Sequence, residues 1–191
     1  MNNMQLFNDN FMNSLLDVSV EFTGRLFGPD GQPISGARSF GITGFGEEMP
    51  GADFTVRGFS PHRPRSVFFQ HQELGLVGVA QSPKHNGESI TVPMQPGATV
   101  TGRLLDANGQ PSGGVRLGLS GRSLSEKQAH WLGDFPGRIK MDPDGRFCIT
   151  AVVPGYEYQL VRRDGREGEL FLGAFHFGQT KDLGDVRLKT D

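Results

Sequence analysis

From Ser19 onward, apolar and polar residues alternate with period two through most of this chain. Successive side chains of a strand point to opposite faces, so this alternation marks half-buried strands. Such runs cover 18–27, 36–43, 54–58, 66–70, 75–81 and 89–94, then 99–105, 115–119, 146–151, 156–162, 169–177 and 185–189. In Tyr156-Glu157-Tyr158-Gln159-Leu160 the pattern predicts both tyrosines and the leucine inward, with Glu and Gln outward. Turn signals separate the runs: Pro29-Asp30-Gly31, Met49-Pro50-Gly51, Ser60-Pro61, Ser82-Pro83 and Pro96-Gly97. Asp-Gly suits a tight hairpin turn because glycine takes positive φ freely. Residues 1–17 differ. Phe7, Phe11 and Leu15 fall at i, i+4 and i+8, the stripe of a short helix. The expectation is a helical or disordered N-terminal segment that either docks on the first sandwich or is a leader or linker remnant.

The pattern occurs twice. Phe22-Thr23-Gly24-Arg25-Leu26 leads to Asp30-Gly31-Gln32-Pro33, and Val100-Thr101-Gly102-Arg103-Leu104 leads to Asn108-Gly109-Gln110-Pro111. Gly24 and Gly102 differ by 78 positions, as do Pro33 and Pro111 and also Arg38 and Arg116. Later, Phe54-Thr55-Val56 aligns with Phe147-Cys148-Ile149 at an offset of 93. The second half therefore holds 15 extra residues between these landmarks (93 − 78), placed at roughly 121–138. Ser123-Leu124-Ser125-Glu126 has capping-box spacing and predicts a short helical turn over 126–130. An internal repeat implies copies of one unit, here a first β-sandwich over 18–96 and a second over 97–191.

The second copy resembles the carboxypeptidase regulatory-like domain. The residues that carry the likeness are Val100-Thr101-Gly102, Asn108-Gly109-Gln110-Pro111, Gly114-Val115, Asp142-Pro143-Asp144-Gly145-Arg146-Phe147 and Pro154-Gly155-Tyr156-Glu157-Tyr158. The first copy carries it over 20–45 and diverges afterwards, with Ser60-Pro61-His62 where Pro-Gly would stand. The resemblance implies an all-β fold: two tandem transthyretin-like (prealbumin-like, Ig-like) sandwiches, largely antiparallel. It also implies a non-catalytic accessory or structural module for spacing or protein interaction, in a bacterial envelope or secreted system.

Composition adds little to this picture. The 28 glycines and 12 prolines among 191 residues sit between short apolar runs, as turns require. A net charge of −2 disfavours a nucleic-acid partner. No apolar run is long enough for a membrane helix, and residues 1–24 hold no Lys or Arg for the basic start of a secretory signal. The single Cys148 reads as a small side chain between the inward Phe147 and Ile149.

Candidate chemistry is sparse. His62, His71, His85, His130 and His176 lack metal-site spacing. Asp142-Pro143-Asp144-Gly145 begins like a calcium loop but lacks the remaining ligands, so a hairpin turn is expected. Gly118-Leu119-Ser120-Gly121 is not a nucleophile elbow. No catalytic residue, cofactor or metal is expected, and the chain is read as no enzyme. The resemblance extends to transthyretin-related hydroxyisourate hydrolases, but the Tyr-Arg-Gly-Ser-type ending of those enzymes is absent from Leu188-Lys189-Thr190-Asp191. Trp131 is the best functional candidate. It lies in the insertion with His130, Phe135 and Arg138, where an aromatic could stack on a sugar or a partner protein. The alternative function is therefore carbohydrate binding through the Trp131 loop, with Trp131 folded over the core as the competing role.

Overall fold

The computed structural model describes residues 20–40, 47–59, 66–83, 85, 87–123, 131–134, 139, 141–164 and 168–189. The predicted N-terminal helix and the predicted turn over 126–130 lie outside these. Every regular element among the described residues is a strand. They are β1 (Val20–Phe27), β2 (Arg38–Phe40), β3 (Glu47–Glu48), β4 (Asp53–Phe59), β5 (Ser66–His71), β6 (Leu76–Gln81), β7 (Ser89–Pro93) and β8 (Gln95–Pro96). Then come β9 (Ala98–Leu104), β10 (Leu117–Ser123), β11 (Trp131–Asp134), β12 (Arg146–Val152), β13 (Tyr156–Arg162), β14 (Glu169–Ala174) and β15 (Thr180–Val186).

The chain forms two compact units. The first takes residues up to Phe69 together with Val79–Pro93. The second takes Gln70–Gly78 and Met94–Asp191.

In the first unit a three-stranded sheet of order β4-β1-β7 accompanies a sheet in which β3, β2, β5 and β6 follow one another. Alternation along β1 and β4 sends Phe22, Leu26, Phe54 and Val56 inward, and Val67 and Phe69 of β5 are buried as well. The Phe54 ring lies edge-on to Phe22 at 6.1 Å and tilted against Phe69 at 4.6 Å. Such aromatic pairs add to the burial of their large apolar area.

The second unit repeats the arrangement with β12-β9-β15 and β11-β10-β13-β14. Its core holds Val100, Leu104, Leu119, Phe147, Ile149, Tyr158 and Leu160. As the alternation predicts, Tyr156, Tyr158 and Leu160 of β13 are buried. The Tyr158 hydroxyl donates to the Val153 carbonyl at 2.8 Å, which satisfies a polar group inside the core. Burial pushes the Tyr158 phenol well above its ordinary pKa. Within this unit β8 pairs antiparallel with β6 residues Leu76 and Val77. The Gln70 side-chain amide, itself buried, donates to the Ala151 carbonyl at 2.9 Å.

Registers match under the two sequence offsets. β1 pairs with β4 through Phe22↔Val56, then slips to Val20↔Phe59. β9 pairs with β12 through Val100↔Ile149, then slips to Ala98↔Val152. Both slips set two residues against one, which is a β-bulge. The last strand of each unit lies parallel to the first, as Thr23↔Ser89 and Thr101↔Asp182 show. The turns match too. Gly28 N–H donates to Gln32 O and Gly31 N–H to Gly28 O, while Asp106 N–H donates to Gln110 O and Gly109 N–H to Asp106 O.

The strand expected at 185–189 lies instead at Thr180–Val186. Asp182-Leu183-Gly184-Asp185 lies within this strand. It forms an irregularity there: the register shifts between Asp182 and Asp185, Gly184 takes φ +62°, and Asp182 Oδ1 accepts the Gly184 N–H. The insertion also departs from a simple loop, because its residues 121–123 continue β10 and 131–134 form β11.

Candidate interaction face

The four-stranded sheet of the second unit brings the sequence-predicted candidate and a missed one onto one element set. Since β13 sends Tyr156, Tyr158 and Leu160 into the core, Glu157 and Gln159 take the other face. Register places Gln159 beside Phe171 on β14 and beside Ser120 on β10, and Ser120 beside Asp134 on β11. The next row on that face runs Ala174, Glu157 and Arg122, and the backbone of Trp131 pairs with Arg122. Arg122 Nη2 donates to Glu157 Oε2, so the charges of the row compensate each other. Ser120, Arg122, Glu157, Tyr158, Gln159 and Phe171 line a groove of about 190 Å³.

Phe171 is 65% exposed. Its flanking residues explain why. Leu172 is buried, and the β13–β14 register passes from Phe171↔Gln159 to Gly173↔Tyr158 with Leu172 as the extra residue. This bulge bends β14, with Gly173 at φ +80°. The Lys181 ammonium donates to the Leu172 carbonyl at 2.8 Å and stands 5.7 Å from the Phe175 ring centre. The apolar triplet Leu170-Phe171-Leu172 was the available signal: period two with both leucines inward forces the phenylalanine out.

Trp131 opens β11 and pairs in register with Arg122. His130, Phe135 and Arg138 lie outside the described residues. Arg57 pairs with Glu21, and Arg162 makes a two-pronged bond to Asp164. His62, Arg63, Arg65 and Arg166 lie outside the described residues. Asp142-Pro143-Asp144-Gly145 forms a turn: Gly145 N–H donates to Asp142 O at φ +77°, and Asp142 Oδ1 accepts the Arg146 N–H. Among the described residues no group of three or more His, Cys, Asp or Glu is placed to hold a metal ion. No helix among them is long and apolar enough to cross a membrane.

Two further grooves occupy equivalent places, one on each three-stranded sheet. The first, about 420 Å³, is lined by Thr23, Arg25, Asp53, Thr55 and Thr91 among others. The second, about 290 Å³, is lined by Thr101, Arg103, Arg146, Asp182 and Asp185 among others. Their chemistry differs. Arg25 grips Asp53 through two hydrogen bonds, and the first effect of those bonds is to hold the Asp53 carboxyl below the usual carboxylate range. In the second unit Arg146 takes the place of Asp53, and Arg103 turns to the Asp144 carbonyl and Asp185. A larger cleft, about 820 Å³, lies beside the Asp106–Asn108 turn and the Arg187–Lys189 segment.

No family model matches the chain, and no curated protein matches it. Solved structures with a similar course of the chain include the shaft pilin SpaA from Lactobacillus rhamnosus GG, at 10% identity and TM-score 0.36, covering 91% of this chain and 98% of that one. The major pilin subunit BcpA of Bacillus cereus aligns at 7% identity and TM-score 0.32, covering 90% and 100%. The pilus backbone RrgB from Streptococcus pneumoniae aligns at 10% identity and TM-score 0.31, covering 91% and 65%. Likenesses this distant carry no argument about function.

Proposed function

We propose that the chain is a non-catalytic accessory module. In this reading it consists of two copies of one transthyretin-like sandwich of the carboxypeptidase regulatory-like kind, and it spaces or docks other proteins in a bacterial envelope or secreted system. The observation that carries the reading is the shared register: the same strand orders, the same bulge opposite the first strand and the same parallel closing pair recur in both units. Surface chemistry at equivalent places does not recur, as Arg25–Asp53 against Arg103 and Arg146 illustrates. A duplication that keeps its frame and lets its surface drift is one in which the frame is the useful part. Fold alone does not supply a function, so the test is cellular. Antibody detection after fractionation of the producing cells should find the chain in envelope or culture medium, cross-linked to a discrete protein. Confinement to the cytosol without a cross-linked neighbour would defeat the proposal.

A second reading, glycan contact, is favoured by Phe171. An exposed ring beside a primary amide and an internally neutralised Arg–Glu pair suits a neutral ligand rich in hydroxyls, which both donate and accept. Retention on an insoluble polysaccharide, lost in Phe171→Ala or Trp131→Ala, would support it. Equal behaviour of wild type and variants on every matrix would remove it.

A further inference from the structure

We infer that each unit is built to bear tension along the chain, through a clamp formed by its first and last strands. This deepens the spacer reading and depends on it for its use in the cell. In the first unit β1 and β7 lie side by side and parallel, from Thr23↔Ser89 to Phe27↔Pro93. In the second, β9 and β15 do the same, from Thr99↔Thr180 to Leu104↔Val186. β7 ends at Pro93, where the first unit ends, and β9 begins at Ala98, shortly after Met94; the β5–β6 tip, Gln70–Gly78, also belongs to the second unit.

The direction of force on such a pair follows from elementary mechanics. Tension pulls the first strand backwards at its beginning and the last strand forwards at its end. The two strands are parallel, so these pulls act along the strand axis in opposite senses. The interstrand hydrogen bonds are then sheared together. Were the strands antiparallel, both pulls would act at the same end and the bonds would open one after another. Hydrogen bonds of a parallel pair are evenly spaced, so the sheared load is distributed along β1–β7 and, in β9–β15, over the segments on either side of the register shift between Asp182 and Asp185. Forced unfolding is governed by the barrier to leaving the native state, and shear places all five register pairs before that barrier.

The surroundings reinforce the pair. β1 and β9 are central strands, held on the other side by β4 and β12. Further bonds extend each clamp: Gly87 N–H to Glu21 O and Thr23 N–H to Glu88 O at the start of the first, and Thr99 N–H to Gln179 O and Leu105 N–H to Val186 O at the two ends of the second. In the second unit Thr101 Oγ1 donates to Asp182 Oδ1 across the pair. Leu26 and Val92 anchor both strands of the first clamp in the core, and Val100 and Leu104 anchor β9 of the second. The large insertion lies between β10 and β11 of the other sheet, outside the clamp strands.

The test is single-molecule pulling on the full chain in two geometries. The exposed Cys148 is first changed to serine so that handles attach only where placed. One variant carries Gln95→Cys and Arg187→Cys, which shears β9 against β15. The other carries Gln95→Cys and Phe177→Cys, which pulls both strands from the same end. β8 lies on the load path in both, so its contribution cancels. Urea midpoints equal to that of the Cys148→Ser parent establish that both variants are folded. The shear geometry should unfold at roughly threefold higher force, because the bonds share the load instead of failing in sequence. Equal forces in the two geometries, with both proteins folded, would overturn the clamp. That outcome would leave the fractionation and cross-linking result for the spacer reading untouched.

Discussion

Position by position, the two units keep one backbone and change what surrounds it. Gly24 and Gly102 stand at the same place on the central strand. Each is roofed by a phenylalanine of the neighbouring strand, Phe54 or Phe147, that occupies the space a side chain would need. The bulge is shared as well, but the residues in it differ: Gly58 stands at the position aligned with Ala151. Ala151 takes φ +56°, a left-handed conformation that costs an L-residue energy, and it is fully buried. The turn acid differs too. Asp30 Oδ1 accepts the Gln32 N–H, whereas Asp106 Oδ1, from the position of Gly28, accepts both Asn108 and Gln110 N–H. The contrast separates what the fold demands, a glycine under a ring and a bulge, from what it tolerates, the choice of surface acid.

The glycines offer the strongest way to break this comparison. A Cβ at position 24 would fall on the Phe54 Cζ and 2.7 Å from the Ile90 carbonyl oxygen, which is backbone and yields little. At position 102 it would meet Phe147 Cζ at 2.8 Å and the Leu183 side chain at 3.3 Å. Gly24→Ala should therefore cost about 3 kcal/mol, the upper part of the usual overpacking range, and Gly102→Ala nearer 1–2 kcal/mol. Urea titrations of the two variants check both the size and the order.

Ala151→Gly carries the second unit toward the first and should stabilise it. Relief of the left-handed strain is worth about 1–2 kcal/mol, offset by about 0.5–1 kcal/mol of added chain freedom. A raised melting temperature is the expected reading. A lowered one would mean that the alanine methyl packs too well to lose.

Tyr158→Phe should cost about 1 kcal/mol, the typical net value of one hydrogen bond, and leave the Val153 carbonyl without that donor. The sign of its pH effect is fixed by the raised pKa of the phenol. Folding favours the protonated form, so the contribution is complete below the unfolded value of about 10 and is lost as pH rises above it. The urea midpoint of the wild type should fall above that pH. In Tyr158→Phe this part of the fall should disappear.

Asp53→Asn should have the smallest effect, since Arg25 and Asp53 are both exposed. Its contribution has the opposite pH sense. The carboxyl pKa is depressed in the fold, so stabilisation is present above the unfolded carboxylate value and lost as pH falls through the folded one. A slight flattening of the acid limb of the stability profile checks it.

The elements legible in the sequence are those with strong period two. β1, β9, β12 and β13 fall where alternation places them, because each has one face on a core. β3 and β8 are two-residue strands, too short to show a period. β11 was concealed within the insertion, because its pairing depends on β10 and not on its own pattern. β15 begins earlier than its own pattern places it, because its pairing with β9 sets its extent. On the candidate face, Trp131 attracted attention by rarity, whereas Phe171 required the inward leucines on either side to be read together. The clamp could not be read from local sequence at all, since parallel pairing joins strands at opposite ends of a unit.

Lys181 has a consequence for life in a crowded solution. β14 is an edge strand, and an unpaired edge beside an exposed phenylalanine is the usual place for one chain to recruit another. The bulge at Leu172 spoils the even spacing that a foreign strand would need, and the lysine occupies the carbonyl there. One end of the same strand is closed by Lys189, whose N–H and carbonyl both pair with Glu169. An intruding strand would have to displace a cation from one point and the protein's own backbone from another. Phe171 can thus stand in solvent as an accessible ring without turning the edge beneath it into a seed for aggregation.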